Sequence, residues 1–110
     1  MLIQNEYLLS EAAQTNQAVD MIRSEIQSLC QTREAHIRAS NNYVQMANRF
    51  GAQVMEAETS EVARDLLERM AEKSSLALDQ RREALVYDEM IREAEVRLAK
   101  MTGVWLPPVS

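Results

Sequence analysis

The side chains that most often do chemistry are scarce in this chain and do not stand at the spacings chemistry needs. There is one histidine and one cysteine in 110 residues, His36 and Cys30. A nucleophile–histidine–acid triad, a histidine-based zinc site or a di-iron bundle each needs its histidine beside further ligands or a nucleophile. The di-iron pattern is Glu-x-x-His, but Arg33 stands where that glutamate belongs and Glu34 lies too close to His36. The lone Cys30 follows Leu29, forms no disulfide within the chain, and reads as a small core residue suited to a reducing compartment. His36 reads as a polar seam residue bonded to Asp79 or a near neighbour. Buried beside a carboxylate, it would make association sensitive to pH.

Carboxylates concentrate in the second half, among them Glu56, Glu58, Glu61, Asp65, Glu68, Glu72, Asp79, Glu83, Asp88, Glu89, Glu93 and Glu95. Paired acids run hydrolytic chemistry when a pocket sets their pKa values apart. Here they are interleaved with Arg64, Arg69, Arg81, Arg82, Arg92 and Arg97, the pattern of a solvated helix face. No phosphate-binding loop, CxxC, GxSxG or HExxH occurs. The expectation is a non-enzymatic chain with no catalytic residue, no metal site and no cofactor.

The net charge of −5 argues against binding a phosphate backbone, where basic side chains supply most of the affinity. No nucleic-acid partner is expected. No segment approaches the roughly 18 apolar residues of a membrane span, and the N-terminal residues lack the basic flank and apolar block of a signal peptide. The expected location is the cytoplasm, with export without a cleaved signal as the alternative.

What remains is helical architecture. With two glycines and two prolines, and an abundance of Ala, Leu, Met, Glu, Gln and Arg, the fold class reads as all-α. From Thr59 to Met101 the residues Leu66, Met70, Lys73, Ala77, Gln80, Ala84, Tyr87, Ile91, Ala94, Leu98 and Met101 alternate steps of four and three, which keeps them on one face of a helix. A second line, Leu67, Ala71, Leu78 and Leu85, runs beside that seam and widens the apolar surface beyond a simple coiled-coil seam. Thr59 and Ser60 are suited to cap the start of this helix and Gly103 its end. Pairs such as Asp65 with Arg69 and Glu93 with Arg97 stand at helical spacing, each worth roughly 0.2–0.5 kcal/mol. Met70, Met90 and Met101 lie on or beside the seam and read as core filling.

The first half repeats this pattern less cleanly. Leu8, Ala12, Thr15, Val19, Ile22, Ile26 and Leu29 form a seam that reaches polar residues at Arg33, His36 and Ser40 and returns at Tyr43, Ala47, Phe50 and Val54. Beside the interruption, Cys30, Ile37 and Val44 would keep an apolar face by drifting one position. The chain can turn back at Gly51 or between Ala57 and Ser60. The seam stays in phase across Gly51, where a helix continues at a cost of about 1 kcal/mol relative to alanine. The later turn also sets Arg33, His36 and Ser40 beside Ser75, Asp79 and Arg82, so that polar groups meet, and it is preferred. A short third helix over 43–57 is the competing arrangement.

The expected fold is thus a long antiparallel helical hairpin over residues 1–102, with arm one about 3–57 and arm two about 60–102. A non-helical apolar tail, 103–110, follows. Two helices cover one stripe of each other, so the second line on arm two calls for a further surface, met by a four-helix bundle or coiled coil with a second copy, a dimer being favoured, or by another helical protein. Val19, Ile22, Ile26, Leu29, Leu66, Met70, Tyr87, Ile91 and Leu98 are the expected interaction residues. Trp105 in the tail joins them, either folded back on the open end or as an anchor in a partner groove. The expected role is protein–protein interaction, as an adaptor, chaperone or structural subunit of an assembly. The alternative role is a small effector or export substrate. In outline, with Phe50-Gly51 near mid-chain, the sequence is similar to the small Trp-x-Gly hairpin proteins exported by type VII secretion systems. It departs from them in having no tryptophan before that glycine and Ile91 where their export signal places an acid after Tyr87. The likeness is one of size and build and implies no site residue.

Overall fold

A computed structural model of the chain describes residues 2–103, with side chains from Thr15 onward. Helix α1 runs Leu2–Glu56 and helix α2 runs Ser60–Thr102. The two pack as a hairpin, and no strand occurs among the described residues. The expected seam positions Leu8 and Ala12 lie in α1 ahead of the described side chains, and the tail with Trp105 lies outside the described residues.

Gly51 lies inside α1, and the stretch from Tyr43 to Glu56 is the end of that helix, not a separate third one. The reversal takes only residues 57–59 and is closed by short-range bonds. The amide of Ala57 donates to the carbonyl of Val54 at 3.2 Å. Thr59 caps α2: its Oγ1 accepts from the amide of Val62 at 3.2 Å, and its carbonyl accepts from that of Ala63 at 3.1 Å. At the far end of α2, Gly103 takes a φ of +71°, the left-handed conformation that ends helices and that a side chain would strain.

Packing within the hairpin divides into two units. In the first, the segment up to Gln31 packs with the segment from Asp88. Val19, Ile91 and Ala94 are buried there, with Ile22, Ile26, Leu29 and Leu98 half-buried. Arg97 donates across to Glu25 at 2.9 Å. It does not use the expected partner Glu93 on its own helix, because its position flanking the seam points it at α1. Met90 and Met101 are exposed and do not fill the core as expected. Met90 stands one position off the buried Ile91, and Met101 lies in the last turn of α2.

The second unit is Thr32–Tyr87 and includes the turn. Its buried residues are small: Ser40, Ala47, Ala77 and Ala84. Around them His36, Tyr43, Phe50, Val54, Leu66, Met70, Lys73, Gln80 and Tyr87 are half-buried. An alanine methyl contributes about 0.8 kcal/mol on burial, against about 1.5–3 kcal/mol for a leucine or isoleucine, so this seam allows close approach at the expense of apolar stabilisation.

The polar residues of α1 stay in the seam. Ser40, 1% exposed, donates its hydroxyl to the carbonyl oxygen of Ala77 at 3.0 Å. Nδ1 of His36 donates to Oε1 of Gln80 at 2.6 Å, and its ring stacks on Tyr87 with centroids 5.4 Å apart. Lys73 keeps a seam position by laying its ammonium over the ring of Tyr43, 5.8 Å from the centroid. The expected meeting with Ser75, Asp79 and Arg82 does not occur. Those three stand off the seam and are exposed, and Asp79 pairs with Arg82 along its own helix at 3.7 Å. Nor does the seam drift through Val44, which is exposed. Hydrogen bonding to α2 makes burial of Ser40 and His36 tolerable, so no drift is needed.

Candidate interaction surface

Several large apolar residues of the second unit lie outside the buried and half-buried seam, and three of them share one line along α2. Leu67 is 46% exposed, Leu78 58% and Leu85 66%. With Ala71, Ser74 and Arg81 they follow steps of four and three along α2, one continuous stripe beside the seam.

Helix α1 supplies the other half of this face. The guanidinium of Arg81 donates to Oδ1 of Asn41 at 3.3 Å, which sets the level of one helix against the other along this side. One helical step on from that bond, Val44 and Leu78 line a common open groove of about 450 Å³. Its floor is Ser40, Ala47 and Ala77, and its rim includes Asn48, Ser74 and Arg81. Continuing by steps of three and four places Ile37 level with Leu85 and Met55 level with Leu67. The stripe on α2 is legible in sequence spacing. Ile37 and Val44 share a face seven residues apart, and that spacing is the signal that places Val44 here, outside the seam.

The seam residues Val19, Ile22, Ile26, Leu29, Leu66, Met70, Tyr87, Ile91 and Leu98 are buried or half-buried within the hairpin. They hold the arms together, and Val44, Leu67, Leu78 and Leu85 are among the large apolar residues left exposed.

A second open groove, of about 510 Å³, lies in the first unit and is lined by Thr15, Asn16, Val19, Asp20, Arg23, Met101 and Thr102. It is polar and holds no histidine, cysteine or carboxylate pair. Among the described residues no three of His, Cys, Asp and Glu come together to hold a metal ion. His36 is engaged by a neutral amide and an aromatic ring, and Cys30 is half-buried. None of the described helices is long and apolar enough to cross a membrane. What the geometry offers is an exposed apolar surface. Neither a protein-family model, nor a curated protein, nor a solved structure matches this chain.

Proposed function

We propose that the chain is a non-enzymatic protein–protein interaction module, serving as an adaptor, chaperone or structural subunit of a larger assembly through packing of amphipathic helices. The observation that carries this reading is the exposed line Leu67, Leu78 and Leu85 beside a seam that is already closed. Fully burying one leucine stabilises an association by about 1.5–3 kcal/mol, and three at helical spacing present one continuous face to a partner. The chemistry of the partner follows: an apolar helical surface.

The test compares the wild-type chain with Leu78→Glu in extract of the cells that make it. The reading predicts a wild-type complex heavier than the 12.6 kDa chain and its loss in the variant, with helicity retained in both. A wild-type chain that runs free, or a complex the variant leaves intact, contradicts it.

A further inference from the structure

The face described above matches itself when turned end for end, and we infer that its occupant is a second copy of this chain, docked antiparallel so that the two turns lie at opposite ends of a four-helix bundle. This rests on the reading of the chain as an interaction module and names its partner. Along α2, the stripe is symmetric about a point midway between Ser74 and Leu78. Stepping outward from that point sets Ser74 level with Leu78 of the second copy, Ala71 with its Arg81, and Leu67 with its Leu85. Along α1 the corresponding point lies between Val44 and Asn48, and the same step sets Gly51 level with Asn41 of the second copy and Met55 with its Ile37. Val44, Asn48, Ser74 and Leu78 all line the one groove, so both midpoints fall in the same place and one two-fold axis serves both helices.

The pairs that result are complementary in size and charge. Large apolar residues meet each other at both ends of the stretch, Leu67 with Leu85 and Met55 with Ile37. The long Arg81 side chain, anchored to Asn41, falls over the small Ala71, and Asn41 falls over Gly51. Within the stretch Arg81 is the only charge on the α2 stripe, and the alignment keeps the two copies of it apart. Just beyond it the stripe carries Arg64 on one side and Asp88 on the other, opposite charges that the same alignment brings level. The stretch from Ile37 to Met55 is about 27 Å long and two helices are about 20 Å across, a projected area of about 500 Å² per copy. A stable interface buries about 800 Å² of accessible surface per partner, and the accessible surface of a side-chain-covered face exceeds its projection, so the face is of sufficient size.

The test is cysteine pairing in the full chain with Cys30→Ser, oxidised by copper phenanthroline. Positions 67 and 85 of one chain are about 27 Å apart, far outside the roughly 4.4–6.8 Å between Cα atoms that a disulfide spans. Leu67→Cys mixed with Leu85→Cys is therefore expected to give a covalent dimer at least about tenfold faster than either variant alone. Ile37→Cys mixed with Met55→Cys repeats the measurement on α1, so that one poorly folding variant does not decide the matter. Equal crosslinking of a single variant with itself overturns the antiparallel alignment. A purified chain that keeps the mass of one copy at every concentration overturns the second copy as occupant. If the cell-extract complex is then still lost in Leu78→Glu, the interaction-module reading stands with a different partner.

Discussion

The hydroxyl of Ser40 lies 3.0 Å from the carbonyl oxygen of Ala77, a side chain of one helix bonded to the backbone of the other. Such a bond needs the helices close together, and the small neighbours Ala47, Ala77 and Ala84 permit it. The position is thus governed by size more than by polarity. The carbonyl of Ala77 sits mid-helix and keeps its own intrahelical partner when the hydroxyl is removed.

Ser40→Ala is accordingly expected to cost no more than about 1 kcal/mol, the net worth of one hydrogen bond partly offset by better helix propensity. Ser40→Val, which adds bulk where the helices touch, is expected to cost about 1–3 kcal/mol. Urea unfolding of both variants checks the order. A valine variant as stable as the alanine variant would show that the helices are not held close here.

Loss of the His36 ring removes both its bond to Gln80 and its stacking on Tyr87. His36→Ala is expected to destabilise the hairpin by about 1–2 kcal/mol, since Gln80 is half-buried and regains only part of its bonding from water. A double-mutant cycle with Gln80→Ala should return a coupling of about 0.5–1.5 kcal/mol. Additive single effects would mean that the 2.6 Å contact contributes no net stability.

Gly51 stands in the interior of α1, and a methyl group added there meets Sδ of Met70 at 3.2 Å. That atom is near the end of a flexible side chain and can give way by the few tenths of an ångström required. Gly51→Ala is therefore expected to raise stability by up to about 1 kcal/mol through helix propensity, read as a higher thermal midpoint at fixed concentration. A lower midpoint would show Met70 to be fixed.

Which side of each helix faces inward was legible in the spacing of residues. From Leu66 to Leu98 every expected seam position is buried or half-buried, because the 3.6-residue period leaves an apolar line no other way to be covered. The exposed second line Leu67, Leu78 and Leu85 was legible for the same reason. The level of one helix against the other was not. Spacing along a helix says nothing about displacement along its axis, which the three-residue turn and the close approach at Ser40 decide. Hence Ser75, Asp79 and Arg82 read as partners of the α1 polar residues, while Ala77, Gln80 and Tyr87 fill that place. Val44 was misread for a related reason: the drift assumed that Ser40 and His36 must leave the seam, whereas each finds a hydrogen bond inside it.

The claim at the centre of this account is that two copies of the chain associate through the Leu67, Leu78 and Leu85 stripe. The direct measurement is the mass of the purified chain by light scattering over a hundredfold dilution, for the wild type, Leu78→Glu and Met21→Glu. Leu78 and Met21 are 58% and 67% exposed, so either substitution costs the isolated hairpin little, and they differ in that Leu78 lies on the stripe. The account predicts a wild-type dimer, a Met21→Glu chain that matches it, and a Leu78→Glu chain that dissociates to single copies at concentrations where the others remain paired. The same mass for all three chains at every dilution would contradict it.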